Sequence, residues 1–474
     1  MAFIGREEEI KTLTNCYESD KSEFIAIYGR RRVGKTFLVK ELFEPTFTFY
    51  ATGILNGSMI SQLKMWNREM LRFGGRNLDP ADNWIDAFEN LNTLIEQQRK
   101  EGERGKKVIF LDEVPWMATR NSNFLMGLDY FWNRWASSSK DVMLIICGSA
   151  ASWIINNVVN NKGGLHNRLT RQLLISPFNL KECQLFYESR KLPMTRYQMA
   201  EAYMIFGGIP YYMSLMEPHL SLYQNIDNMY FAQGAELKNE FSNLYQSLYE
   251  NSDNYIRVIE TLAKKGIGLS RNEIANGAQI ANGGTLTKIL NDLSISGFIR
   301  KYNSYGQKKR DCLYQLIDFF SFFEIRFRDM HLEFASDYWL RFSATSAYSV
   351  WSGFSFEKVV LLHLQQVRKK LGISGVLTSS YSWRGKHEDK GTQIDLVIDR
   401  NDNLINLCEI KFASAPFVVD KKQYESLLNK RSAFIHSTKT KKAVQTTMIT
   451  TFGLKQNNYS AELVSQVLLD DLFE

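Results

Sequence analysis

Residues 29–36 read Gly-Arg-Arg-Arg-Val-Gly-Lys-Thr, which fits the spacing GxxxxGK[ST]. Glycines at such positions let a backbone turn tightly, so that its N–H groups converge on phosphate oxygens at a helix start. Lys35 would reach the β- and γ-phosphates of a nucleotide, and the Thr36 hydroxyl would take Mg²⁺. Further along, Val108-Ile109-Phe110-Leu111-Asp112-Glu113 is an apolar run ending in two acids. Asp112 can hold the Mg²⁺ shell and Glu113 can polarise an attacking water. Alone, such a pair can simply cap the next helix; after a phosphate loop it reads as that loop's hydrolytic partner. The run Ile145-Ile146-Cys147-Gly148-Ser149 ends in a small hydroxyl residue, which sits near the γ-phosphate or caps a helix.

A second set lies near the C-terminus. Thr392–Asp399 alternates as a strand, Arg400-Asn401-Asp402-Asn403 is turn chemistry, and Leu404–Lys411 returns. A hairpin centred on Asp402 sets Asp395 opposite Glu409, with Lys411 on the same face. Like charges directly opposed are destabilising unless a cation lies between them. Two carboxylates and a lysine at one spot can bind Mg²⁺ at Asp395 and Glu409 and activate a water for phosphodiester cleavage. Glu357 begins an expected helix running to Lys370, and Gln423 lies on the helix that follows the hairpin. The bland alternative is an ordinary hairpin with acids on its solvent face.

These residues need elements to hold them. The phosphate-loop residues lie between an apolar run (FIAIY) and an amphipathic stretch (FLVKELF). Five short runs, Phe24–Tyr28, Thr46–Tyr50, Val108–Asp112, Met143–Gly148 and Gln172–Ile175, alternate with helical patterns. That predicts a parallel sheet buried on both faces, with crossover helices. The strand ending at Ser149 is expected between the two phosphate-site strands. Residues 181–251 read as helices interrupted at Gly207-Gly208-Ile209-Pro210. Tyr255–Lys264, a capping box at Ser270-Arg271-Asn272-Glu273, Gly284–Ser296 and a hairpin that starts at Gly297-Phe298-Ile299-Arg300 and runs through Tyr302 to Tyr314 follow, the order of a winged helix-turn-helix. Residues 251–315 carry ten Lys/Arg against five Asp/Glu, much of the +7 excess of the whole chain. Such a unit can set Lys308, Lys309 and Arg310 on DNA phosphates. Its third helix offers Thr285, Thr287, Lys288 and Asn291 and no arginine, so guanine readout is not expected. Four domains follow: 1–180, 181–251, 252–340 and 341–474.

Composition narrows the classes. The chain has 474 residues, 44% of them apolar and 23% charged, enough to bury several cores. Five scattered cysteines without a CxxC pair exclude a disulfide framework and a structural zinc site. The N-terminus has no apolar secretory core, and no run is long enough to span a bilayer. A cytoplasmic setting without a membrane partner is expected.

The segments FIGREEEI, GRRRVGKT, FLDEVPWM, CGSA, GGLHNRLTRQLLISPFNLKE and GGIPYY, in that order, resemble the AAA+/STAND-type P-loop ATPases of prokaryotes, best known from archaea. The resemblance implies an α/β multidomain chain binding ATP/ADP with Mg²⁺, with Gly29, Arg32, Val33, Gly34, Lys35, Thr36, Asp112 and Ser149 around the phosphates. It puts Ile4 and Gly5 by the adenine and closes Pro210 over the base from a helical lid. It makes Arg168 or Arg171 the arginine facing the phosphates, in cis or in trans; the trans case needs a homo-oligomer or partner protein. Ser149 stands where such proteins commonly have Asn or Thr. The D-x13-E-x-K pattern resembles the PD-(D/E)XK nuclease fold, implying catalytic roles for Glu357, Asp395, Glu409 and Lys411. The combined expectation is an Mg²⁺-dependent ATPase coupled to a winged helix that binds DNA largely non-specifically, and to a metal-dependent nuclease domain. The alternative is a nucleotide-dependent regulatory or DNA-binding switch with slow ATP turnover and an inactive nuclease fold. A metabolic kinase would leave the winged helix and the second acidic site idle.

Overall fold

The computed structural model describes residues 4–100, 105–161, 163–165, 167–266, 268–307, 312–327, 337–387 and 390–474. They fall into two compact units. The first is Met1–Pro177 with two short returns, Gln246–Glu250 and Ile295–Gly297; the second is the remainder. The expected breaks at 252 and 340 both fall inside the second unit.

The first unit is built on a five-stranded parallel sheet. Its strands are β1 (Glu23–Tyr28), β2 (Phe47–Thr52), β3 (Lys107–Asp112), β4 (Val142–Gly148) and β5 (Arg171–Leu174), in the order β2-β3-β4-β1-β5. β3 and β4 are buried along their whole length, as near-continuous apolar strands under crossover helices should be. β5 departs from expectation, because Arg171, Gln172 and Leu174 are exposed on this edge strand. Under one face, Trp66, Trp84, Phe88, Phe124 and Phe131 pack as tilted and edge-on pairs. Such pairs add about 0.5–1.5 kcal/mol each beyond the area they bury.

The second unit opens with helices between Leu180 and Phe231. The helix Arg196–Phe206 starts at a Thr195–Gln198 capping box and ends at Gly207, whose φ of 64° suits a residue without Cβ. Three helices follow, Ser252–Lys265, Arg271–Ala278 and Gly284–Ile295. Next comes an antiparallel sheet of β6 (Leu269–Ser270), β7 (Ile299–Tyr302) and β8 (Leu313–Leu316) in the order β6-β8-β7. The Ser270–Glu273 capping box is present.

The last sheet comprises β9 (Thr378–His387), β10 (Lys390–Arg400), β11 (Leu404–Lys411), β12 (Ala443–Thr450) and β13 (Ser465–Leu468), ordered β13-β12-β11-β10-β9. β9, β10 and β11 form an antiparallel meander; after the helix Lys421–Thr438, β12 pairs parallel to β11. The hairpin between β7 and β8 docks on this sheet. Tyr305 donates its N–H to the Ser382 carbonyl at 2.7 Å and rests its ring on Tyr381 and Phe434. No helix among the described residues is long and apolar enough to cross a membrane.

Candidate functional site

The phosphate loop hangs from the end of β1. Gly29 has φ 146°, and a Cβ there would lie 2.2 Å from the Ile175 carbonyl oxygen, so only glycine passes. Arg32 and Gly34 also take positive φ, 68° and 90°, and Gly34 caps the helix Lys35–Phe43. Lys35 is buried and donates its Nζ to the carbonyls of Gly29 and Arg30, at 3.0 and 2.8 Å. An arriving phosphate can take over that ammonium. The Thr36 hydroxyl donates to Asp112 Oδ2 at 2.7 Å. A hydroxyl and a carboxylate oxygen side by side at a phosphate loop are the hard-oxygen donors Mg²⁺ prefers, so Thr36 and Asp112 fit that ion.

β4 runs between β3 and β1, which brings Ser149 against Glu113. Both the backbone N–H and the hydroxyl of Ser149 donate to Glu113 Oε2, at 3.0 and 2.9 Å. Burial pushes the Glu113 carboxyl up from its ordinary range, and Asp112 adds to this; Lys35 and the two Ser149 donors pull the other way. The arrangement can hold a phosphate chain, a cation and a base at the carboxyl ends of β1, β3 and β4.

The second acidic group takes the expected register: Leu396 pairs Cys408 and Val397 pairs Leu407, so Asp395 and Glu409 are the next positions outward. Lys411 Nζ lies 2.9 Å from Glu409 Oε1, and Lys430, on the helix Lys421–Thr438, lies 2.7 Å from Oε2. Burial pulls the Glu409 carboxyl up, but Lys411 and Lys430 bring it below its usual range. Gln393 donates to Asp395. Glu357 is pushed up to about 8, first by burial and next by Asp395, with Lys358 and Lys411 opposing. The four expected residues are thus electrostatic neighbours. They do not form a ready cation site, because both Glu409 oxygens are held by ammonium groups. Among the described residues no three His, Cys, Asp or Glu side chains are close enough to hold a metal ion. The donors at Asp395 and Glu409 therefore do not fit Mg²⁺ in this arrangement.

Glu357 also sits differently on its element. It lies late in a helix that Thr345 caps and that spans Ser346–Leu362, not at a helix start. The run to Lys370 breaks at His363, whose Nε2 accepts the Leu180 N–H at 3.0 Å. Gln423 is the N3 residue of the Asp420 capping box, a structural task.

Residues 3–216 match a family described as an ATPase domain predominantly from Archaea. The chain carries an archaeal-type ATPase domain. A protein of Methanocaldococcus jannaschii, uncharacterized protein MJECL04, is 26% identical over 435 residues, 90% of this chain and 91% of its own. The uncharacterized ATP-binding protein MJ0423 of the same organism is 45% identical over 42 residues, 9% of this chain and 71% of its own. Among solved structures, the Walker-type ATPase PABY2304 of Pyrococcus abyssi shares the fold at a TM-score of 0.50 and 16% identity. That match covers 68% of this chain and 96% of the other.

In the ATPase domain neither expected arginine meets the phosphate loop. Arg168 is exposed and donates to the Gly164 carbonyl at 3.4 Å, and Arg171 is exposed and donates to Thr170. Arg171 pairs with Ile25 in parallel register, and Tyr28, at the phosphate end of β1, pairs with Leu174. Three residues of strand, about 10 Å, separate Arg171 from that end. Pro210 belongs to the second unit, where it opens the helix Pro210–Ser214.

Three further residues brace the site. Arg6 is buried and donates to the Val33 and Ser176 carbonyls at 3.3 and 2.5 Å, which sets Ile4 and Gly5 beside the loop. A Cβ on Gly53 would meet the Glu113 carbonyl at 2.5 Å, and one on Gly148 would meet Pro115 at 2.7 Å. The only signal for these is glycine or arginine next to a motif, which does not single them out.

Proposed function

We propose that the chain is an Mg²⁺-dependent ATP hydrolase whose second unit works on nucleic acid through a winged helix and a PD-(D/E)XK-like fold. The observation that carries the hydrolase reading is the joined set Lys35, Thr36–Asp112 and Glu113–Ser149 at the end of the parallel sheet. In it Lys35 binds phosphate oxygens, Glu113 orients and deprotonates a water, and Ser149 keeps Glu113 aimed. Mg²⁺, held by Thr36 and Asp112, would screen the phosphate charge. The similarity to MJ0423, an ATP-binding protein by name, agrees with this reading. Arg168 and Arg171 lie exposed, a placement that suits action on the site of a second copy rather than their own.

For the second unit, support comes from the order helix, helix, helix, hairpin, and from the meander followed by a helix and a parallel strand. On the Gly284–Ile295 helix, Thr285, Thr287, Lys288 and Asn291 are exposed, and Arg271 reaches across to Thr287 Oγ1 at 2.8 Å. That adds an arginine to a face that had none in its own helix. Lys308, Lys309 and Arg310 lie outside the described residues. The loop residue Tyr305 is taken up by the C-terminal sheet, so in this reading the helix face makes the DNA contact.

A second reading, binding without cleavage, is favoured by the two lysines on Glu409. Lys35→Ala should abolish ATP binding measured with a fluorescent nucleotide; unchanged affinity refutes the phosphate-site assignment. Mn²⁺ with plasmid or single-stranded DNA separates the two readings: cleavage by wild type that Asp395→Ala abolishes would overturn binding without cleavage. No cleavage by wild type, with or without ATP, leaves the binding reading in place.

A further inference from the structure

Beside the acidic group of the second unit stands a row of aromatic rings that none of the roles above uses. Phe412 directly follows Lys411, and its ring stacks on Tyr197 at 4.8 Å and 14°. Tyr197 stacks in turn on Phe452 at 5.5 Å and 20°. Tyr197 is therefore the middle ring of three nearly parallel ones. On the inner side Phe412 meets Phe356, fully buried and one residue before Glu357, at 5.2 Å. The outer ring, Phe452, is 46% exposed. The row runs from the acidic group to solvent.

The row is held rather than incidental. The Thr451 hydroxyl bonds both the N–H and the carbonyl of Ala413, at 2.8 and 2.5 Å, which pins the ends of β11 and β12 together. The Tyr197 hydroxyl bonds Tyr348, which donates to the buried carboxylate of Glu201. Tyr223 donates to the same carboxylate at 3.2 Å. An exposed phenylalanine on such a stack gains nothing from water, and Phe452 leaves close to half of its apolar surface to it. Of the cations next to these rings in the chain, Arg196 pairs with Asp470 at 3.4 Å and Lys411 with Glu409 at 2.9 Å, while Lys455, three residues after Phe452, is exposed. A stack of rings ending in an exposed one, with an exposed lysine three residues on, suits an unpaired base and its phosphate.

We propose that Phe452 caps a stacking platform for an unpaired base of a single-stranded nucleic acid, continuing the row Phe412–Tyr197. This rests on the reading that the second unit binds nucleic acid. Duplex DNA, whose bases already stack on each other, would not use the platform.

The test uses the full chain in EDTA, which prevents cleavage, with a fluorescein-labelled single-stranded oligothymidylate and a duplex of the same length. Phe452→Ala should weaken single-strand binding by about five- to a hundredfold, the range that base–aromatic stacking spans. Duplex binding should change less than twofold. Phe452→Trp should keep the affinity, and its added indole emission should be quenched by the oligonucleotide. The proposal is overturned if Phe452→Ala, folded by thermal melt, binds the single strand as wild type does, or if the added indole is not quenched. Wild type that binds neither probe overturns both the proposal and the nucleic-acid reading beneath it. Wild type that binds both, with Phe452→Ala unchanged, overturns the proposal alone.

Discussion

Replacing Ser149 by alanine isolates what the clasp on Glu113 does. The hydroxyl and the backbone N–H donate to the same oxygen, Glu113 Oε2, and alanine removes only the hydroxyl. A hydrogen bond to a charged group contributes about 1.5–3 kcal/mol. The bond favours the carboxylate over the acid, so its loss shifts that acid–base equilibrium by roughly 10- to 100-fold toward the protonated form. Burial already pushes Glu113 up, so the change moves it further in the same direction. If Glu113 is the base that activates water, the acidic limb of the kcat/KM profile for ATP moves to higher pH in Ser149→Ala. On the old limb the rate drops by roughly the same factor, and well above it the loss shrinks. Ser149→Thr, which keeps a hydroxyl, should keep the limb in place. The assay is steady-state phosphate release across pH, with nucleotide affinity measured in parallel. An unmoved limb in Ser149→Ala, or a loss that appears wholly as weaker ATP binding, would refute the reasoning, because Ser149 would then act on the nucleotide and not through Glu113.

Three other outcomes are expected. Gly29→Ala places a Cβ 2.2 Å from the Ile175 carbonyl at φ 146°, so it should abolish nucleotide binding and lower the melting temperature, with strain of about 1–3 kcal/mol. Glu357, raised to about 8 in the folded chain against roughly 4.3 unfolded, binds its proton more tightly when folded. Its contribution is present in full below the unfolded value and is lost as pH rises through about 8, so wild type should lose stability toward alkaline pH by a few kcal/mol at order of magnitude, and Glu357→Gln should flatten that loss in urea titrations. Lys430→Met and Glu409→Gln should each lower the urea midpoint, and the double variant should show a coupling of roughly 0.5–3 kcal/mol, reflecting the 2.7 Å contact; strict additivity would count against the clasp.

The proposed ATP site was legible because its chemistry demands particular residues at short spacing, so Gly29 through Thr36, then Asp112 and Glu113, could be read without knowing the fold. The register of the C-terminal hairpin was legible for a related reason. Its turn at Arg400-Asn401-Asp402-Asn403, with Asn403 at φ 64°, fixes which residues oppose each other. The start of the helix holding Glu357 was not legible, because Tyr348, Trp351, Phe356, Val359 and Val360 are all buried and leave no amphipathic period to follow. That neither arginine meets the phosphate loop of its own chain was not legible for another reason: only the pairing of Arg171 with Ile25 shows at which end of the sheet it stands. Lys430 is the most telling miss. It is 21 residues from Glu409 in the chain, and no spacing rule connects a lysine within a helix to an acid on a strand. Yet that contact decides whether the acidic pattern is a cation site or a satisfied ion cluster. Sequence motifs report which groups a site owns; the charge state of the site depends on neighbours that only the packing brings in, and here packing adds a second lysine to Glu409.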